Sequence, residues 1–178
     1  MESTQIETRI EEAVGKIGLT SGEDQYLTFL LGGEEYGVDI LRVQEIKGWD
    51  RVTPIPNTPE YMLGVINLRG AIVPVMDLRR RFGMPVSEFG PTTVVIVLRV
   101  CGEDRDRIMG IVVDAVSDVY DIPQEEFRPA PGNGNSTIMA AVTALATVNE
   151  HMVILLDIDR LLNSRELAAV YRDETETL

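Results

Sequence analysis

The stretch YMLGVINLRGAIVPVMDLRRRFG, Tyr61 to Gly83, decides the fold. It holds two apolar runs, Met62–Leu68 and Ala71–Leu78, separated only by Arg69-Gly70. β-Branched residues dominate both runs, and Gly70 admits positive φ in a tight connection, so the pattern predicts a β-hairpin with an exposed arginine at its turn. Pro74 has no N–H to give a ladder, which places that part of the second strand at an edge or a bulge. Asp77 is positioned to cap a short helix over 78–82 that Gly83 ends.

Outward from the hairpin, the same alternation of strand and turn fills the chain. Tyr26–Leu31 and Tyr36–Ile40 read as strands joined by Gly32-Gly33-Glu34-Glu35, and Leu41–Ile46 continues apolar after a kink. Pro54, Pro56 and Pro59 force an extended loop before the hairpin. A second unit starts near Pro91, with strands over 92–100, 107–113, 115–122 and 152–158. Residues 138–148 suit either helix or strand locally, and hairpin logic favours a strand. A closing helix is expected over 159–171, an acidic disordered tail over 172–178 and a flexible leader over 1–24, where Ile6, Ile10 and Ile17 mark one face of a marginal helix.

The two halves echo each other. Gly37-Val38-Asp39-Ile40-Leu41-Arg42-Val43-Gln44-Glu45-Ile46 lies over Gly110-Ile111-Val112-Val113-Asp114-Ala115-Val116-Ser117-Asp118-Val119. Ile72–Leu78 lies likewise over Met152–Ile158, each followed by a helix. One strand order used twice predicts two similar small barrels, the first over about 25–84 and the second over about 91–158, and barrel closure removes exposed strand edges. Within a strand of period two, Val43 and Glu45 are expected to point the same way, with Val116 and Asp118 as their counterparts.

Composition narrows the function. A net charge of −13 over 178 residues repels phosphate backbones and anionic lipid, so neither nucleic acid nor direct membrane insertion is expected. No apolar run approaches the roughly 20 residues of a membrane span, and Met1-Glu2-Ser3-Thr4 lacks the start of a signal peptide. The one cysteine, Cys101, suits a reducing cytoplasm, and the one histidine, His151, supports neither a triad nor a histidine-rich metal site. Asp157-x-Asp159 lacks the ligand pattern of a calcium loop and reads better as helix capping. Gly132-x-Gly134 is no dinucleotide loop. No catalytic, cofactor or metal site is therefore expected. What remains is surface for protein partners: Arg69 as a forked donor, Glu45, and Gly64 where a backbone approaches closely. Arg79-Arg80-Arg81 reads as a solvated helix face or as a positive rim for an acidic partner.

The stretches EEYGVDILRVQEI (34–46), NTP (57–59), GVINLRGAIVPVMDLR (64–79), TVVIVL (93–98), GIVVDAVSDV (110–119) and RPAP (128–131) together resemble the CheW-like domains of chemotaxis coupling proteins, in order from about Gln25 to Leu167. The chain departs from that pattern in its leader, in the longer charged turn Gly102–Arg107 and in 132–147. The resemblance implies two five-stranded SH3-like β-barrels packed on a common apolar core. It implies a non-catalytic adaptor between the cytoplasmic tips of methyl-accepting chemoreceptors and the regulatory domain of the histidine kinase CheA, in the cytoplasm and recruited to receptor arrays. It places partner contacts at Val43, Glu45, Gly64, Arg69, Val116 and Val119. Val43, Val116 and Val119 would line a groove between the barrels that takes the receptor's helical hairpin, and the kinase would meet the barrel ends. The chain's length leaves no room for a kinase or receiver domain, so a free-standing coupling protein is expected. The alternatives are a scaffold for a non-chemotactic receptor array and, from a different class, a carboxylate-dependent hydrolase on a barrel fold.

Overall fold

A computed structural model describes residues 24–131 and 137–163, together with Thr8 and residues 10–12. Ten strands dominate: β1 Gln25–Leu31, β2 Glu34–Asp39, β3 Val43–Gly48, β4 Met62–Leu68, β5 Ala71–Asp77, β6 Val94–Val100, β7 Arg107–Val113, β8 Ala115–Asp121, β9 Val142–Val148 and β10 His151–Leu156. Short helices accompany them, among them α1 Leu78–Arg81, α2 Thr137–Ala141 and α3 Ile158–Leu162. The strands form two five-stranded sheets, in the orders β8-β1-β2-β10-β9 (barrel I) and β3-β6-β7-β5-β4 (barrel II).

The internal echo is real, but the barrels do not follow the halves of the sequence. Replacing β1–β5 by β6–β10, and the reverse, turns one sheet order into the other. Each barrel therefore takes its first two strands from one repeat and its last three from the other, contrary to barrels over 25–84 and 91–158. The exchange occurs because β2 pairs in parallel with β10, and β7 with β5, across the repeats. The equivalent glycines sit in these parallel pairs, Gly37 opposite Leu155 and Gly110 opposite Val75. A Cβ on Gly37 would meet Leu155 Cδ2 at 2.9 Å, and one on Gly110 would meet Val95 Cγ1 at 2.8 Å. The glycines that head both copies of the sequence repeat thus leave room for the core of each barrel.

Three apolar clusters stack through the molecule. Val73, Val75, Val95, Val97 and Val112 fill barrel II, and Ile122, Ala144, Ala146, Val153 and Leu155 fill barrel I. Between them the opposite faces of the same strands build one shared core, which includes Leu27, Phe29, Tyr36, Leu98, Met109 and Ile111. This two-sided burial explains the nearly continuous β-branched run of β6, buried from Val94 to Leu98. Phe29 stacks on Tyr36 at 5.9 Å between ring centres, and Tyr36 meets Phe82 at 5.8 Å.

The hairpin β4–β5 forms as the sequence predicts, but Pro74 lies on an interior strand, between β4 and β7. It is tolerated there because of where its missing N–H points. Val65, opposite Pro74, spends both its N–H and its C=O on Thr53, so Val65 and Pro74 share no ladder bonds. The parallel ladder with β7 begins only at the next residue, Val75. Residues 138–148 divide between α2 and β9, so both local readings hold in turn. The closing helix, expected over 159–171, spans only Ile158–Leu162 and ends at the cap Asn163. Residues 164–178, with the expected tail, lie outside the described residues. Most of the leader does too, but residues 10–12 are helical and Ile10 packs against the shared core, so that part is not a free leader.

Candidate functional site

The turn at Arg69-Gly70 carries the exposed arginine that the sequence points to. Both residues have positive φ, 52° and 89°, the backbone of a type I′ hairpin turn. Asn67 Oδ1 accepts the Gly70 N–H at 2.8 Å and so helps hold that conformation. The Arg69 side chain is 81% exposed and its Nη2 lies 3.4 Å from Glu45 Oε2 on β3. A pair this open adds about 0–1 kcal/mol to stability at most, so its consequence is orientation: a guanidinium held at the rim with most of its donors turned to solvent.

The pair crosses the seam of barrel II, where the edge strands β3 and β4 face each other. Farther along, Thr53 closes the same seam through paired backbone bonds to Val65, both 2.9 Å. A cleft of about 170 Å³ opens on the seam, lined by Lys47, Gly48, Thr53, Val65, Ile66 and Asn67 among others. Barrel I has the matching backbone closure, Arg128 to Leu145 at 2.7 and 2.9 Å. Its hairpin turn places Asn149 at φ 49° and Glu150 at φ 69°, with no arginine, and Asp118 stands where Glu45 does. An arginine at the hairpin turn, facing an acid across the seam, is therefore a feature of barrel II that the turn of barrel I does not duplicate.

The remaining sequence-predicted residues lie elsewhere. Val43 and Val116 are only 7% and 4% exposed and sit with half-buried Val119 in or against the shared core, so the first two support the inter-barrel surface from beneath. Val43 and Glu45 do not share a face. A bulge between them shifts the β3–β6 register, which puts Val43 and Ile46 into the core together and leaves Glu45 on the other side. The same bulge recurs in the β1–β8 pairing, where the Thr28 hydroxyl bridges the Asp118 backbone at 3.1 and 3.2 Å. Gly64 is buried, and the backbone that approaches it is the chain's own. A Cβ there would overlap the Thr53 carbonyl, and its φ of 147° suits glycine.

The basic run after β5 is spent internally. Arg79 grips Asp114, Arg80 reaches Asp77 at 3.3 Å, and Arg81 lies 4.7 Å over the Tyr61 ring. It is neither a free positive rim nor an open solvated face. Asp77 and Asp157 cap α1 and α3 by accepting from Arg79 N and Arg160 N, each at 3.1 Å, as the sequence implies. Burial pushes the Asp77 carboxyl above the usual carboxylate range, although the cap bonds and Arg80 act against it. Sequence reading missed Ile72, 59% exposed on β5 and paired with Asn67 of the Arg69 turn. In the sequence it counts only as a β-branched strand residue, and nothing local marks it as lying on β5 before the pairing with β7 begins at Val75. Among the described residues no His, Cys, Asp or Glu cluster is arranged to hold a metal ion, and no helix is long and apolar enough to cross a membrane.

Comparison with known proteins gives the frame for this geometry. The family model of the CheW-like domain matches residues 25–166. The chain is 48% identical to a chemotaxis protein CheW of Klebsiella aerogenes over 153 residues, 86% of this chain and 89% of that protein. It is 35% identical to one of Rhizobium meliloti over 151 residues, 85% of this chain and 95% of the relative. Among solved structures it is similar to the scaffolding protein TtCheW of Thermoanaerobacter tengcongensis, with a TM-score of 0.72 and 32% identity, over 80% of this chain and 94% of that one.

Proposed function

The chain belongs to the CheW-like domain family, and from that premise we propose that it is a chemotaxis coupling adaptor, joining the cytoplasmic tips of methyl-accepting chemoreceptors to the regulatory domain of the histidine kinase CheA. Its work is binding, without a reaction of its own, and its place is the cytoplasmic face of receptor arrays. The observation that carries the reading is the Arg69–Glu45 pair on the barrel II seam. It is an exposed, oriented, forked donor on a hairpin turn, and the matching turn of barrel I carries Asn149 and Glu150 in place of an arginine. A donor of that shape recognises carboxylates and carbonyl oxygens on a partner. Exposed Ile72 beside the turn adds an apolar anchor, the mixture of core and rim that protein interfaces use. Half-buried Val119, backed by Val43 and Val116, gives the inter-barrel surface an apolar wall for a receptor helix.

Titration of the full chain with purified receptor cytoplasmic fragment and with CheA regulatory domain tests the proposal. Saturable binding to both, without competition between them, supports an adaptor. Binding to neither refutes it.

A further inference from the structure

Among the described residues the chain passes between the barrels twice: from β2 to β3 through residues 40–42, and from β7 to β8 at Asp114. Each crossing carries a two-pronged ion pair. At the first, Arg42 Nη1 and Nη2 hold Asp159 Oδ1 and Oδ2 at 2.9 and 2.8 Å, and Cys101 N donates to the same carboxylate at 2.8 Å. At the second, Arg79 Nε and Nη2 hold Asp114 Oδ1 and Oδ2 at 2.7 and 2.6 Å, and Gly32 N donates to that carboxylate at 2.9 Å.

The two assemblies occupy equivalent places. Asp159 is on α3 and Arg79 on α1, the helices that follow the last strand of each repeat. Arg42 and Asp114 are at the crossings. Cys101 and Gly32 are the residues directly after β6 and β1, the first strands of the two repeats. Only the charges are exchanged: the helix supplies the acid in one assembly and the base in the other. Each assembly also spans both barrels. Gly32 ends a strand of barrel I while α1 continues from barrel II; Cys101 ends a strand of barrel II while α3 continues from barrel I. Both helices bury Leu78, Ile158, Leu161 and Leu162 in the shared core, so each arginine–carboxylate fork ties a plug of that core to a point where the chain could hinge.

We propose that Arg42–Asp159 and Arg79–Asp114 are matched clamps of opposite polarity that lock the two crossings and so fix the angle between the barrels. The four side chains are positioning residues for any surface that runs from one barrel to the other.

Spin labels at Ala71→Cys on β5 and Thr147→Cys on β9, both exposed positions, report the distance between barrels in the full chain carrying Cys101→Ser. The parent gives one narrow distribution. Asp114→Asn and Asp159→Asn each broaden it, and together they at least double its width. The exchange Arg79→Asp with Asp114→Arg restores the narrow distribution, because it gives the second crossing the polarity the first already has and places an acid in the first turn of α1. An unchanged width in the doubly neutralised protein, with only its thermal midpoint lowered, overturns the proposal and leaves the pairs as general stabilisation. An exchanged variant as broad as Asp114→Asn also overturns it.

Discussion

Arg69 holds φ at 52°, a left-handed conformation that costs a side-chain-bearing residue on the order of 1 kcal/mol, and does so at an exposed tip where glycine or asparagine would be easier. Its side chain is 81% exposed, so the fold gains little from it. Arg69→Asp should leave the thermal midpoint within about 2 °C, since surface changes fall within roughly 0.5 kcal/mol, and weaken partner binding about tenfold, or about 1.4 kcal/mol. Glu45→Lys repels Arg69 in place of orienting it and should do the same. Isothermal titration beside thermal unfolding separates the two effects; a variant that unfolds would make the arginine structural. Gly64 behaves in the opposite way. Its close backbone approach is legible in the sequence, but the approaching backbone is Thr53 of the same chain, a partner no local pattern reveals. Gly64→Ala should cost about 2 kcal/mol or more in urea unfolding, by steric overlap and strained φ together.

At the scale of elements, the strands and the caps of α1 and α3 were legible because alternation, turn residues and Asp77 or Asp157 act within a few positions. The register bulge between Val43 and Glu45 was not, since it is set by β6, far along the chain, and it reverses the face on which Glu45 stands. The clamps were hidden for the same reason: Asp114 and Arg42 find their partners only once the helices close. Burial by itself would raise the Asp114 and Asp159 carboxyls, but the Arg79 and Arg42 forks with the Gly32 and Cys101 N–H groups outweigh it and hold both below the usual carboxylate range. A folded value below the unfolded one stabilises the native state above about pH 4, and that contribution is lost as pH falls through the folded value. Asp77 has the opposite sign, because its raised value favours the folded state as acid is added. Thermal midpoints measured from pH 6 to pH 3 should therefore fall more steeply in the parent than in the Asp114→Asn and Asp159→Asn variants. Parallel curves would contradict this account of the acid response.

For the whole molecule, the duplicated strand order and two small barrels followed from the echo between residues 37–46 and 110–119, and their five-stranded SH3-like form from the resemblance to CheW-like domains. Which strands share a barrel did not. Two independent barrels and two exchanged barrels bury the same residues in alternation, and only the parallel pairings β2–β10 and β5–β7 distinguish them. The exchange predicts that a fragment of residues 1–84 has no barrel of its own. It should show unfolded amide dispersion by NMR alone and gain native dispersion when mixed with residues 85–178; a folded spectrum for the isolated fragment would contradict the exchange. Two joined barrels with one distinctive seam and a separate inter-barrel surface suit a molecule that holds two partners at once. The most direct test of that role is co-sedimentation of this chain and CheA with membranes containing chemoreceptors, with kinase activity read alongside. The adaptor account predicts that CheA sediments, and that its activity follows receptor ligand, only when the chain is present. Kinase recruitment and receptor control that are the same without the chain would contradict it.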